Sequence, residues 1–280
     1  MAAVPNTLLK TLPASDATFT LAELREQATA LRLHGLLAHW GELMADPESQ
    51  RRVHQWLRWE SAERSHRSLQ RRLRGAHIGQ FKPLADFDWS WPKEIDRAAI
   101  EELMGLEFMT DATNVVLVGP NGVGKSMCAA NFAYQAVLAG HTVLFTTAGH
   151  MLSELAALDS DSALRRRLQR YAAPDLLLID EVGYLSYSDR HADLLFELVS
   201  RRYLTKSTVV TTNKMFAEWN QVFPNAACVV SLVDRLVHRA EVVRIDGESY
   251  RQKEAEERAA QRQAARTTAP RGKSTARSRS

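Results

Sequence analysis

A glycine-rich segment that joins a strand-like run to a helical pattern constrains the fold of this chain more than any other feature. Residues 119–126 read GPNGVGKS and match the spacing G-x-x-x-x-G-K-[ST]. The apolar run NVVLVG leads into this match, and the helical pattern KSMCAANFAYQAVLAG continues from it. A strand, a loop and a helix in this order let the loop amides and the helix N-terminus surround a phosphate group. The segment therefore predicts a phosphate-binding loop in an α/β fold.

Downstream of the loop, apolar runs alternate with helical patterns. The runs are HTVLFTTAG, DLLLIDE and STVVTTN, and the helical patterns include HMLSELAAL, SALRRRLQRYAA and HADLLFELVSRRYL. The runs lack polar alternation, as expected for strands whose two faces are both covered by helices. We therefore expect a parallel sheet flanked by helices.

The hydrophobic pattern divides the chain into four expected parts. Residues 1–18 lack periodicity and are expected to be flexible. Residues 19–80 show the helical periodicity of a small all-α domain, and residues 81–257 contain the α/β pattern. Residues 258–280 contain seven Lys and Arg residues and no acidic residue, and they lack a core pattern, so we expect a disordered basic tail.

Composition is ordinary for a globular chain, with 45% hydrophobic and 25% charged residues. No apolar run approaches the ~18 residues that span a bilayer. The first residues lack the basic start and long apolar stretch of a secretory signal. These features predict a cytoplasmic protein without a membrane partner. Cys128 and Cys228 have no spacing typical of a metal site, and we assign neither a role.

The glycine-rich segment and the DLLLIDE run together predict a site for a nucleoside triphosphate and magnesium. Lys125 is expected to reach the β- and γ-phosphates, and the Ser126 hydroxyl is expected to bind Mg²⁺. The paired acids suit an ATPase: Asp180 would join the magnesium shell, and Glu181 would be the base that polarises the attacking water. The expected nucleotide-binding residues are Gly119, Pro120, Asn121, Gly122, Val123, Gly124, Lys125, Ser126 and Asp180.

Polar and basic residues after the next strand are candidates for sensing the nucleotide. Asn213 ends STVVTTN. If that strand lies between the loop strand and the acidic strand, its amide would meet the γ-phosphate and the water, but a turn or helix cap is an equally good interpretation. The segment SLVDRLVHRAEVVRIDGESYR places arginines beyond the expected core sheet, and an arginine supplied to a neighbouring subunit can speed phosphoryl transfer by ~10³–10⁵. Charge alone does not choose among Arg235, Arg239 and Arg251.

Two arginine clusters predict contact with a polyanion. Members of the first recur at spacings of three, four and three, which places them along one helix face. They are Arg64, Arg67, Arg71 and Arg74. The members of the second are Arg165, Arg166 and Arg167. Clustered cations bind nucleic-acid phosphates with release of counterions, and a solvated helix face is the alternative interpretation.

Tryptophan is concentrated in the first third of the chain. Five of the six tryptophans fall before residue 92: Trp40, Trp56, Trp59, Trp89 and Trp91. Aromatic side chains bury large areas wherever they can. We therefore expect most of them to pack in the core or between domains, with stacking on bases as the less favoured interpretation.

The order of these motifs resembles a known family. GPNGVGKS, LLLIDEVGYL, LLFELVSRRY, STVVTTN, EWNQVF and LVDRLVHRAEVVRIDGESYR follow one another as in the IstB-like helper ATPases of insertion-sequence transposons. These are AAA+ proteins related to the DnaC-type helicase loaders. The resemblance runs from about Leu31 to Lys253. It implies that Arg235 is the arginine finger, Asn213 the first sensor and Glu181 the Walker B glutamate.

The resemblance also implies cofactors and partners. Such a protein would use ATP and Mg²⁺, form a homo-oligomer on double-stranded DNA, bend it, and recruit or activate a partner transposase. Hydrolysis would time assembly and release. Ser126 in place of the commoner threonine, and Asn121 in place of a small residue or threonine, are departures that leave ATP binding intact.

Two other functions are compatible with a phosphate-binding loop. The main alternative is a DnaC-type replicative helicase loader that acts on single-stranded DNA and a helicase ring. Single-strand binding favours aromatic stacking platforms over arginine stripes. A small-molecule kinase would need a substrate lid and would leave Asn213, Arg235 and the basic ends without a use.

Overall fold

The computed structural model describes residues 20–184, 187–224 and 226–268. These residues divide into two compact units, one ending at Ser68 and the other beginning at Leu69. The predicted flexible segment, residues 1–18, lies outside the described residues.

The first unit is helical, as predicted. Its helices are α1 (Leu21–Ala30), α2 (His34–Ala38), α3 (Trp40–Leu43) and the first turns of α4 (Pro47–Ala76). Thr20 begins α1 with a capping box, in which its hydroxyl accepts the N–H of Glu23 and the Glu23 carboxylate accepts the N–H of Thr20. The buried core of this unit consists of Leu24, Ala28, Leu31, Val53 and Leu57.

The tryptophans of the first unit differ in burial. Trp40 packs against the core, as expected. Trp56 and Trp59 are 51% and 60% exposed, so these two are not among the tryptophans that pack in a core. Val53 and Leu57, one helical turn apart, take the buried face of α4. The period of the helix then turns the two tryptophans towards its outer side.

The second unit contains the predicted α/β sheet. Its described strands are β1 (Glu94–Ile95), β2 (Asn114–Val118), β3 (Val143–Thr147), β4 (Leu176–Val182), β5 (Ser207–Thr212) and β6 (Ala240–Asp246). They form one sheet in the order β1-β6-β2-β5-β4-β3. Strand β1 is antiparallel to β6, and the other pairs are parallel. The loop strand β2 and the acidic strand β4 therefore flank β5, which is the arrangement that the interpretation of Asn213 requires.

Helices cover both faces of this sheet. They are α5 (Arg97–Leu103), α6 (Lys125–Leu138), α7 (Ala148–Ala156), α8 (Asp161–Ala172), α9 (Asp189–Arg202) and α10 (Ala226–Val237). A further helix, α11 (Tyr250–Thr268), follows β6. Three short 3-10 helices are also described: Leu84–Asp86, Glu107–Met109 and Phe216–Gln221. Alternate residues of β2 enter opposite cores, with Val115 on the side of α5 and α6 and Val116 on the side of α7 to α10. Among the described helices, none is long and apolar enough to cross a membrane.

One segment expected to lie beyond the core sheet belongs to it. Residues 240–246 form β6, which pairs with β2 along the whole of that strand. The sequence did not reveal this strand because its buried Val243 and Ile245 alternate with exposed residues. Continuous apolar runs therefore identified only the more buried strands.

Two boundaries also differ from the expectation. The last turns of α4 place Leu69, Leu73 and Ala76 in the core beside α6, so the second unit begins before residue 81. Helix α11 continues to Thr268, so it includes residues 258–268 of the expected tail. This stretch is rich in Ala, Gln and Arg, which favour helix. The rest of the predicted tail, residues 269–280, lies outside the described residues.

Candidate nucleotide-binding site

The glycine-rich loop follows β2 and ends at the N-terminus of α6, as predicted. Gly124 is the N-cap of α6 with a φ of +104°, a left-handed conformation that residues with a side chain rarely adopt. A β-carbon at this position would lie 2.5 Å from Cε2 of Phe87. The segment that precedes β1 therefore closes directly against the loop.

Lys125 is buried at the start of α6. Its ammonium group donates hydrogen bonds to the carbonyl oxygens of Gly119 (2.7 Å) and Pro120 (2.6 Å). Burial lowers the pKa of Lys125 to about 8, against the opposing effect of the nearby Asp180 and Glu181 carboxylates. The loop thus encloses a cation for which a phosphate group would be a strong partner.

The paired acids lie at the end of β4, beside the loop. The Ser126 hydroxyl donates a hydrogen bond of 2.9 Å to Oδ1 of Asp180. Glu181 has a φ of +63°, and the register between β4 and β5 shifts between Ile179 and Val182. A bulge in the strand therefore sets the direction of the second acid.

A cavity of about 700 Å³ brings these groups together. Of the predicted nucleotide-binding residues, those from Asn121 to Ser126 and Asp180 line it, and Glu181 lines it as well. Gly119 and Pro120 contribute through the carbonyl groups that accept hydrogen bonds from Lys125. The volume falls within the usual range for small-molecule sites, roughly 300–1,000 Å³.

Two walls of the cavity were not predicted from the sequence, except that Arg251 was one of the three candidate arginines. The segment before β1 contributes Phe81, Phe87 and Asp88, and the start of α11 contributes Tyr250, Arg251 and Glu254. Lys253 joins the two walls, because its Nζ lies 3.1 Å from Oδ2 of Asp88 and 4.2 Å from the centroid of the Trp91 ring. Residues distant in the sequence therefore complete the pocket.

Asn213 directly follows β5, between the strands that carry the loop and the acids. Its Oδ1 is buried and has no hydrogen-bond partner among the described residues. Asn213 is not one of the residues that line the cavity. A buried acceptor without a partner is costly, so a water molecule at this edge would stabilise it. Within the described residues, Asn213 therefore caps no turn or helix through this oxygen.

The three candidate arginines lie in different places. Arg235 is on α10, where its guanidinium donates a hydrogen bond to the Ser200 hydroxyl and lies 4.5 Å from the centroid of the Phe196 ring. Neither Arg235 nor Arg239 lines the cavity, whereas Arg251 does. Within one chain, Arg251 is therefore the arginine of the three that reaches the site.

The first arginine cluster lies on α4, and its members differ in their partners. Arg64 and Arg67 each form an ion pair of 2.6 Å with the glutamate four residues earlier. Arg71 and Arg74 are exposed and have no carboxylate partner among the described residues. Their charge is therefore not neutralised within the described part of the chain.

The second arginine cluster lies on α8. Arg165 and Arg166 are exposed, and no described carboxylate pairs with them. Arg167 is partly buried and pairs with Glu154, whose carboxylate also accepts a hydrogen bond from the Tyr171 hydroxyl. Arg167 therefore has a structural role within the chain that the other two lack.

Two neighbouring side chains, one at the start of α6 and one near the end of β4, fit a magnesium ion. Mg²⁺ prefers oxygen ligands and is usually held by one or two side chains together with substrate phosphates. The Ser126 hydroxyl and the Asp180 carboxylate supply such oxygens side by side. The described residues contain no larger group of His, Cys, Asp or Glu that could hold a metal ion on its own.

Fold and site together define a P-loop nucleotide-binding protein. The model of a family described as IstB-like ATP binding protein matches residues 26–258. The chain belongs to this family, which confirms the resemblance inferred from the sequence motifs.

Individual relatives support the same assignment. A Pseudomonas aeruginosa protein of insertion sequence IS21, whose name refers to ATP binding, is 38% identical over 191 residues, covering 68% of this chain and 72% of the relative. A counterpart of insertion sequence IS5376 from Geobacillus stearothermophilus is 31% identical over 198 residues, covering 71% and 79%. The crystal structure of DnaI superimposes with a TM-score of 0.52 at 17% identity, covering 60% of this chain and 92% of that one. The last match supports the fold alone.

Proposed function

We propose that this chain is an ATPase that assembles on double-stranded DNA and acts with the transposase of an insertion sequence. One observation carries the ATPase part: Lys125, Ser126, Asp180 and Glu181 converge on a single cavity of suitable size. The family and its insertion-sequence relatives support the context. A protein with this role works in the cytoplasm, where ATP and the DNA of bacteria are found.

The residues of the cavity suit hydrolysis of the β–γ phosphate bond. The loop amides and the Lys125 ammonium would hold the phosphates, as in other P-loop sites. Ser126 and Asp180 would hold Mg²⁺, which neutralises charge on the phosphates when bound. Glu181 would accept a proton from the attacking water, and the unpartnered Oδ1 of Asn213 would orient it.

Two arginines would then stabilise the transferred phosphoryl group from different chains. Arg251 lines the cavity of its own chain and is the better candidate for a second sensor. Arg235 lies away from that cavity, so a contact with the γ-phosphate would have to be made in the site of a second copy. An ATP site that is complete only between two copies would link nucleotide binding to homo-oligomer formation.

Exposed arginines without carboxylate partners are the best candidates for DNA contacts. Arg71, Arg74, Arg165 and Arg166 meet this description. Contacts of arginine with phosphates need no particular base sequence and favour duplex DNA, whose charge density is high. Bending of the target and recruitment of the transposase complete the proposal. The insertion-sequence relatives support the context in which a transposase acts.

Binding without turnover separates this proposal from a helicase-loader function. Glu181→Gln should bind ATP and hydrolyse it slowly, so its assemblies can be sized by sedimentation with duplex or single-stranded DNA of equal length. We expect large assemblies with ATP and duplex DNA, and small particles with ADP. Assemblies that form only on single strands would overturn the duplex assignment and favour the loader. Particles whose size changes with neither nucleotide nor DNA would overturn the proposal as a whole.

A further inference from the structure

The bulge that carries the two acids faces a single residue of the neighbouring strand. Ile179 of β4 pairs with Val210 of β5, and the next pair is Val182 with Thr212. Asp180 and Glu181 therefore lie opposite Thr211 alone. Two residues against one is the defining feature of a β-bulge, which leaves one residue without its regular partner in the ladder.

The Thr211 hydroxyl supplies the missing partner and forms a hydrogen bond with each of the two residues in the bulge. Its oxygen accepts a hydrogen bond of 3.0 Å from the backbone N–H of Glu181. Its proton is donated to Oδ1 of Asp180. Thr211 is only 2% exposed, so water does not compete for either bond. One buried hydroxyl thus joins the backbone of the proposed base to the carboxylate of the proposed magnesium ligand.

Both bonds constrain groups that would otherwise have more than one position. Glu181 is held at a φ of +63°, which is unfavourable for a residue with a side chain and persists only where its surroundings impose it. Oδ1 of Asp180 accepts hydrogen bonds from the hydroxyl groups of both Ser126 and Thr211. Neither of these hydrogen bonds involves Oδ2 of Asp180, so this second oxygen could join the magnesium shell.

We propose that Thr211 is a positioning residue that fixes the direction of Glu181 and the orientation of Asp180 through one hydroxyl group. The inference rests on the proposed ATPase function, because it assigns Thr211 a role in that reaction. Threonine is common in strands for its β-branched shape alone. The hydroxyl is therefore the part of Thr211 that must be tested.

Three variants distinguish the effect of the Thr211 hydroxyl from the effect of side-chain shape and from a general loss of stability. Thr211→Val keeps the shape and removes the hydroxyl, and Thr211→Ser keeps the hydroxyl. Thr208→Val is the matched control, because Thr208 is a buried threonine of the same strand whose hydroxyl accepts a hydrogen bond from Arg202. Neither Asp180 nor Glu181 is its partner among the described hydrogen bonds. Melting temperatures of all three report the loss of stability.

We expect Thr211→Val to lower kcat for ATP by ~10–100-fold, the range typical of residues that orient a metal ligand. At saturating Mg²⁺ the KM for ATP should change little, since the loop and Lys125 are untouched. Thr211→Ser should keep most of the parent rate, and Thr208→Val should lose stability without this loss of kcat. A parent-like kcat for Thr211→Val, or an equal loss in Thr211→Ser, would overturn the proposal.

A second measurement does not depend on turnover. In a Glu181→Gln background, calorimetry gives the Mg²⁺ concentration that supports tight ATP binding. Thr211→Val should raise this concentration and Thr211→Ser should not; an unchanged requirement would contradict the role at Asp180. If the parent hydrolyses no ATP, the proposed function fails, and the Mg²⁺ titration still decides whether Thr211 orients the carboxylate.

Discussion

The depressed pKa of Lys125 makes ATP binding depend on pH in a defined direction. Without phosphate the ammonium group titrates at about 8. A bound polyphosphate favours the charged form and raises this pKa towards or above the ordinary ~10.4 of lysine. Binding therefore takes up a proton whenever Lys125 is neutral beforehand, and ATP affinity falls as pH rises through about 8.

The size of the effect follows from the same value. The charged fraction of Lys125 before binding is about 0.9 at pH 7 and about 0.1 at pH 9, so ATP affinity should fall about tenfold between them. The γ-phosphate is already ionised over most of this range, since phosphate groups lose their last proton near pH ~6. Lys125 should therefore dominate the change.

Calorimetry of ATP binding to Glu181→Gln, in buffers of different ionisation enthalpy, measures both the ATP affinity and the number of protons taken up on binding. The number of protons taken up should rise from about 0.1 at pH 7 to about 0.9 at pH 9. Lys125→Arg is the control, because a guanidinium stays charged throughout; its affinity should be lower and nearly independent of pH. A parent affinity that is flat from pH 7 to 9, with no proton uptake, would refute the reasoning.

Three further predictions follow from named contacts. Gly124→Ala should lower ATP affinity about tenfold or more, because the added β-carbon would clash with Phe87 and the residue has a φ of +104°. Gly140→Ala is the control, because Gly140 has a similar φ of +103° but no atom within 4 Å of an added β-carbon. It should lower the melting temperature and leave ATP affinity unchanged in the same titration. Arg235→Ala should keep ATP affinity and lose ~10³-fold in kcat. Mixing it with Lys125→Ala should restore activity, because each Lys125→Ala copy still supplies Arg235 to the intact site of its neighbour. If mixing restores nothing, Arg235 acts within its own chain. Replacing Arg71 and Arg74 by alanine should reduce the slope of the logarithm of the duplex-binding constant against the logarithm of salt concentration by about 2. Replacing the ion-paired Arg64 and Arg67 by alanine should reduce the slope less, and an equal or larger reduction would contradict the assignment.

Local motifs made the loop and the acids predictable from the sequence. Residues 119–126 are contiguous, and their chemistry requires the strand and the helix that flank them. Asp180 and Glu181 end a continuous apolar run, which identified both the strand and its functional end. The same logic failed for β6, because an alternating pattern does not stand out among loops and helices of similar composition.

Contacts between distant segments were not predictable in this way. The indole N–H of Trp91 donates to the carbonyl of Glu248, a bond between residues 157 positions apart. It helps bring α11, and with it Arg251, to the cavity. Thr211 was overlooked for another reason: a threonine in a strand is ordinary, and only the bulge in the facing strand gives its hydroxyl two partners.

The rate of ATP hydrolysis with duplex DNA, with single-stranded DNA and without DNA tests the central claim most directly. The account predicts that the parent hydrolyses ATP, that duplex DNA stimulates it more than single strands do, and that Glu181→Gln loses the activity while it still binds ATP. A parent that binds ATP without hydrolysing it, or a Glu181→Gln variant that hydrolyses ATP at the parent rate, would contradict the assignment of this cavity as the catalytic site.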